Sequence, residues 1–109
     1  LNYSLSEDRG KLLENLVYRH LRKNTSEMFF ARNGWECDFI AFDRGKAPLL
    51  VQVTTRLDTD NYVREVKGLE AAGKLVDSDR ALLLAESIQP GLEVPEWIRI
   101  TPVVDWLLE

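Results

Sequence analysis

Asp38, Gln52 and Thr54 are polar residues that share one face of the facing halves of ECDFIAFDRGKAPLLVQVTT, residues 36–55. An antiparallel hairpin centred on Gly45, with its loop over residues 43–47, makes strand partners sum to a constant and sets Asp38 opposite Gln52. Period-two alternation then puts Asp38, Ile40 and Phe42 on one face with Leu50, Gln52 and Thr54, and Cys37, Phe39 and Ala41 on the other. A carboxylate turned into a sheet interior is costly unless it is paired, hydrogen-bonded or metal-bound, so these three residues form a polar island in an apolar surface. Glu14 is a fourth candidate. Gly10, Glu14, Val17 and Leu21 line up along one side of a helix, so Glu14 borders the buried stripe and leans over the sheet, and Gly10 lets the backbone pack close. Asp38, Glu14 and the amide oxygen of Gln52 are hard oxygen donors of the kind that Mg²⁺ or Mn²⁺ takes. The alternative is a solvated Glu14 and an Asp38 that caps a hydrogen-bond network.

Periodicity supplies the elements that must position these groups. Leu13, Leu16, Val17, His20 and Leu21 fall at helical spacing over residues 4–24, with Ser4 and Glu7 as a capping box, Glu7 and Asp8 near the positive end, and Arg19, Arg22 and Lys23 near the negative end. EMFFAR, a turn at Asn33-Gly34, WECDFIAF and LLVQVTT read as a three-stranded meander. Val63, Val66, Leu69, Gly73 and Val76 predict a second amphipathic helix over residues 59–76. RALLLAE reads as a strand buried on both faces, followed by a short strand at residues 98–101 and a brief helix starting at Pro102. The order αβββαββα predicts one α/β domain spanning residues 1–109, with a central mixed sheet flanked by helices.

Composition narrows the classes of function. The chain has 109 residues, 45% of them hydrophobic, and a net charge of −4, which excludes a dense basic nucleic-acid coat and confines any nucleic-acid contact to a local patch. The single cysteine, Cys37, cannot close an internal disulfide and reads as a small strand residue in a reduced, cytoplasmic setting. The apolar run ALLLA is far too short to span a bilayer. His20 continues the apolar stripe of the first helix, which predicts a structural role over general-base duty. Trp35, Trp97 and Trp106 can stack bases if exposed, but aromatics in a small α/β domain more often fill its core. The tail LEVPEWIRITPVVDWLL could serve that role or dock on a neighbouring domain.

The succession GKLLENLV, ECDFI, LLVQVTT and REVKGLE resembles the C-terminal domain of unknown function carried by many prokaryotic AAA-type ATPases. That domain is similar in turn to the PD-(D/E)XK nuclease superfamily, with its restriction-endonuclease-like core of helix, three-stranded meander, helix and strand. The resemblance covers nearly the whole chain. It implies that Glu14 stands for the helix acid and Asp38 for the main metal ligand, with Mg²⁺ or Mn²⁺ as the cofactor of an active member. The acid and lysine of the E-x-K element fall on Gln52 and Thr54, so this chain departs from the catalytic pattern at two positions. Gln52 supplies no charge and Thr54 no cation, although phosphodiester cleavage needs both a firmly held metal and a polarised water.

Arg64, Lys67 and Lys74 lie along one side of the second helix and are the candidates for a displaced cation or a nucleic-acid contact, against the plainer reading of a solvated face. There is no G-x-x-x-x-G-K-[ST] loop, so the resemblance places nucleotide hydrolysis in an ATPase domain upstream of Leu1, the expected partner. Two functions follow: a degenerate nuclease-like module that binds DNA or protein, or a residual metal-dependent nuclease. A purely structural or oligomerising role fits the acidic balance no worse.

Overall fold

The computed structural model describes residues 2–32 and 34–109, with side chains from residue 7 onward. The Ser4 side chain of the expected capping box and Asn33 of the expected turn lie outside what the structure describes. The elements are α1 (Asn2–Arg22), β1 (Glu27–Arg32), β2 (Glu36–Phe42), β3 (Leu49–Leu57), α2 (Tyr62–Val76), β4 (Arg80–Ile88), β5 (Ile98–Pro102) and α3 (Val103–Leu107). Because α1 already runs from Asn2, Glu7 and Asp8 sit beyond its first turn rather than at its positive end.

The five strands lie in the order β1-β2-β3-β4-β5. β1, β2 and β3 form an antiparallel meander, whereas β4 runs parallel to β3 and β5 parallel to β4. In the second hairpin Phe39 pairs with Val51, Ile40 with Leu50 and Ala41 with Leu49, the register centred on Gly45. Gly45 has φ +77°, a conformation that favours glycine, and the Lys46 N–H closes the turn on the Asp43 carbonyl. Among the described residues no helix is long and apolar enough to cross a membrane.

The alternation of β4 shows how the sheet is sandwiched. Ala81, Leu83 and Ala85 join one core cluster with Val66, Leu69 and Ala72 of α2, while Leu82 and Leu84 join the other with Leu13, Val17 and Leu21 of α1 and Val103 and Trp106 of α3. Burial on both faces explains the apolar run in the middle of this strand. His20 sits edge-on to Trp106 with ring centroids 4.6 Å apart, a packing role.

Two details of helix packing differ from expectation. Among the described residues nothing approaches within 4 Å of a Cβ placed on Gly10, so that glycine marks no close contact there. The close contact is at Gly68, where a Cβ would stand 1.9 Å from the Glu36 carbonyl oxygen and 2.3 Å from Gln52 Nε2. Correspondingly the buried stripe of α2 is Val66, Gly68, Leu69 and Ala72, and Val63 is 48% exposed.

Candidate functional site

The β1–β2 ladder contains a bulge. Phe29 pairs with Ile40 and Ala31 with Cys37, so Asp38 and Phe39 together face the single residue Phe30. The extra residue breaks strict alternation: Cys37 and Ile40, which period two would place on opposite faces, both enter the α2-side cluster, while Phe39 packs on the α1 side. A bulge bends its strand and re-aims the side chain it carries, here Asp38.

At the same point β2 and β3 part. The paired register ends at Phe39 and Val51, and side chains bridge the strands beyond it. The Asp38 N–H donates to Gln52 Oε1 at 2.9 Å, and the Val53 N–H donates to Asp38 Oδ2 at 2.8 Å. Gln52 is 2% exposed, and its Nε2 donates to the Glu36 carbonyl at 2.7 Å and the Glu65 carbonyl at 3.2 Å. One amide therefore ties β2, β3 and the first turn of α2 together, and Gly68 is what lets the helix come that near. The side chain expected to offer a metal-ligating oxygen is instead a clamp whose oxygen already accepts a backbone N–H.

The split opens a cleft of about 690 Å³ lined by Asp38, Gln52 and Thr54 of the sheet, Glu14 of α1, Arg64 and Glu65 of α2, and Arg32, Trp35 and Glu36 at the rim. The structure thus brings together Glu14, Asp38, Gln52 and Thr54. Arg64 borders the cleft with a side chain 77% exposed, and Lys67 lines an adjoining one. Lys74 is elsewhere, in a separate groove at the far end of α2 beside Trp97 and the exposed acids Glu70, Asp77 and Asp79, so it cannot serve the site as a displaced cation. Thr54 Oγ1 donates to the Arg56 carbonyl at 3.3 Å and accepts from Asn61 Nδ2 at 3.4 Å, and among the described residues no lysine lines the cleft.

Glu65 is the residue that sequence reasoning missed. Its side chain is only 12% exposed and lines the cleft from the α2 side, with Arg64 Nε at 3.5 Å. Its signal was available, because Glu65, Gly68, Leu69 and Ala72 fall at i, i+3, i+4 and i+7. Burial pushes the Glu65 carboxyl up, partly offset by Arg64. Burial also raises Asp38 to about 7; the Val53 N–H opposes this, and the charges of Glu65, Glu14 and Glu36 add to it. Among the described residues no three of Asp, Glu, His and Cys converge closely enough to hold a metal ion by themselves. Cys37 is buried, its thiol pushed up to about 12 by desolvation, and is chemically inert.

Comparisons with known proteins stop short of a family. No family model matches the chain, and no solved structure matches it. It is 36% identical to an uncharacterized protein of Methanocaldococcus jannaschii over an alignment that covers 75% of this chain and 20% of that protein. The chain spans about a fifth of the length of the curated relative it matches.

Gln52→Glu separates the clamp from a lost ligand. A carboxylate there would face the Glu36 and Glu65 carbonyl oxygens, with Asp38 beside it, and would fold comfortably only when protonated. The variant is expected to lose about 2–4 kcal/mol at pH 8 and much less at pH 5, as read by urea melts at both values. Equal stability of variant and parent at pH 8 would mean that Gln52 is not the clamp.

Proposed function

We propose that the chain is a degenerate PD-(D/E)XK-type domain of restriction-endonuclease-like design that binds the phosphodiester backbone of nucleic acid at the Asp38 cleft without cleaving it. The observation that carries this reading is the state of the E-x-K positions: the Gln52 amide is used up as a strand-to-helix clamp, and the Thr54 hydroxyl donates to the Arg56 carbonyl of β3 and accepts from Asn61 before α2. Neither can supply the charge that cleavage requires. What remains is a set of carboxylates (Glu14, Asp38, Glu65, Glu36) with Arg32 and Arg64 at the margin.

Such a set repels a bare phosphate, so phosphate binding there calls for a hard divalent cation. The donors fit one in chemistry, and Mg²⁺ is commonly held by only one or two carboxylates together with substrate phosphates and water. Asp38 and Glu65 would be its protein ligands, and its contribution when bound would be neutralising charge. A larger chain with an N-terminal AAA-type ATPase domain is the proposed setting, consistent with a relative of which the chain matches one fifth.

The second reading is a residual Mg²⁺- or Mn²⁺-dependent nuclease. Glu65 favours it, because an acid arriving from α2 beside Asp38 restores one of the two missing charges. Binding is tested by anisotropy of labelled DNA and RNA in Mn²⁺ and in EDTA. Cation-dependent affinity that Asp38→Ala reduces at least about tenfold is expected, the size of losing one charge-assisted contact. Affinity that ignores both the metal and Asp38 would mean that the nucleic acid does not bind in the cleft.

A further inference from the structure

We infer that the nucleic acid taken by this face is single-stranded, with an unpaired base stacked on Trp35. This deepens the nucleic-acid reading above and rests on it. A cleft of about 420 Å³ adjoins the acidic one and shares Gly34, Trp35, Glu36 and Arg64 with it, so the two form one continuous depression. Its remaining lining includes the apolar Val63, 48% exposed, and Lys67.

Trp35 is half-buried and packs against the α2-side core, which fixes the indole in place so that little conformational freedom is lost when a ligand arrives. An aromatic side chain next to an exposed aliphatic one and flanked by two cations is the composition of a base-stacking platform with backbone contacts. Glu36 and Asp60 line the same cleft and oppose a purely electrostatic grip. Stacking is then the leading attraction, with these carboxylates able to accept from exocyclic amino groups. Bases in a duplex are covered on both faces by their neighbours, so only an unpaired base can lie on the indole.

The test measures anisotropy of a labelled single strand of about a dozen nucleotides, within the usual span of one small binding domain, and of the matching duplex, both in Mn²⁺. Trp35→Ala is expected to weaken the single strand about tenfold or more and to leave the duplex unchanged, while Trp35→Phe, which keeps both packing and stacking, stays within about threefold of the parent. Lys67→Gln is expected to lower the slope of log affinity against log salt by about 0.7. Thermal melts of each variant confirm that it is folded. A duplex bound as tightly as the single strand, or equal losses on both from Trp35→Ala, would overturn the inference and leave nucleic-acid binding standing. Binding of neither would overturn both.

Discussion

Gly68→Ala is expected to unseat α2 and to be the most damaging small substitution in the chain. The added methyl group would fall 1.9 Å from the Glu36 carbonyl oxygen, which is backbone, and 2.3 Å from Gln52 Nε2, which is bonded to two carbonyls. Neither neighbour is a free side-chain end that can swing aside. The helix must lift off the sheet, breaking the Gln52 bonds and loosening the contacts of Val66, Leu69 and Ala72 with β2, β3 and β4. Overpacking of this kind, joined to the loss of a buried hydrogen-bond clamp, predicts a loss of about 3 kcal/mol or more. For a domain of this size that is a fall of roughly 12 °C or more in Tm. Gly10→Ala, where no described residue lies within 4 Å, is the control and should be neutral or slightly stabilising. A Gly68→Ala chain that melts with the parent would mean that α2 does not seat as closely as described.

Asp38→Asn is expected to stabilise the protein at neutral and alkaline pH. Burial first, then the carboxylates of Glu65, Glu14 and Glu36, raise Asp38 from 3.8 to about 7. The folded chain therefore holds a proton that the unfolded chain has released between those values. Stability associated with this group is full below its unfolded pKa, falls as pH rises through the window from about 4 to about 7, and stays low above it. A shift of this size corresponds to roughly 4 kcal/mol as an upper bound. Asparagine keeps an oxygen for the Val53 N–H and carries no charge. The variant should gain about 2 kcal/mol at pH 8 and show a shallower decline from pH 4 to pH 7, with Glu65 supplying what slope remains. Denaturant melts at pH 4, 6 and 8 measure it. A variant that declines as steeply as the parent would assign the titration to other groups.

The path from sequence to this site was legible in parts. Leu13, Val17 and Leu21 announced α1 by spacing alone, and Gly45 fixed the hairpin register that sets Asp38 beside Gln52. Both depend on short-range geometry, which periodicity encodes. The bulge at Asp38 and Phe39 was hidden, because one extra residue in a strand leaves no compositional trace and shows only when the partner strand is known. It moved Cys37 to the face of Ile40 and made the simple two-face reading of β2 fail. The helix glycines were misassigned for a related reason: Gly10 and Gly68 look alike in sequence, and only the tertiary approach of α2 to Glu36 tells them apart. Glu65 is hidden in the sequence because helical spacing also allows a stripe through Val63 and Gly73, whereas the buried stripe of α2 runs through Gly68 and Ala72. Helical spacing puts Lys74 on one side of α2 with Arg64 and Lys67, yet its distance along the helix carries it to another groove.

Binding of nucleic acid in the Asp38 cleft, without the groups to cut it, is the proposed role. It is tested most directly by incubating the protein with single- and double-stranded DNA and RNA in Mg²⁺ and in Mn²⁺, beside Asp38→Ala, and resolving the products on denaturing gels. Intact strands are expected in every lane, with Mn²⁺-dependent binding in a parallel shift assay that Asp38→Ala weakens. Cleavage by the parent that disappears in Asp38→Ala would contradict it and make Glu65 and Arg64 the replacements for the charges that Gln52 and Thr54 do not carry.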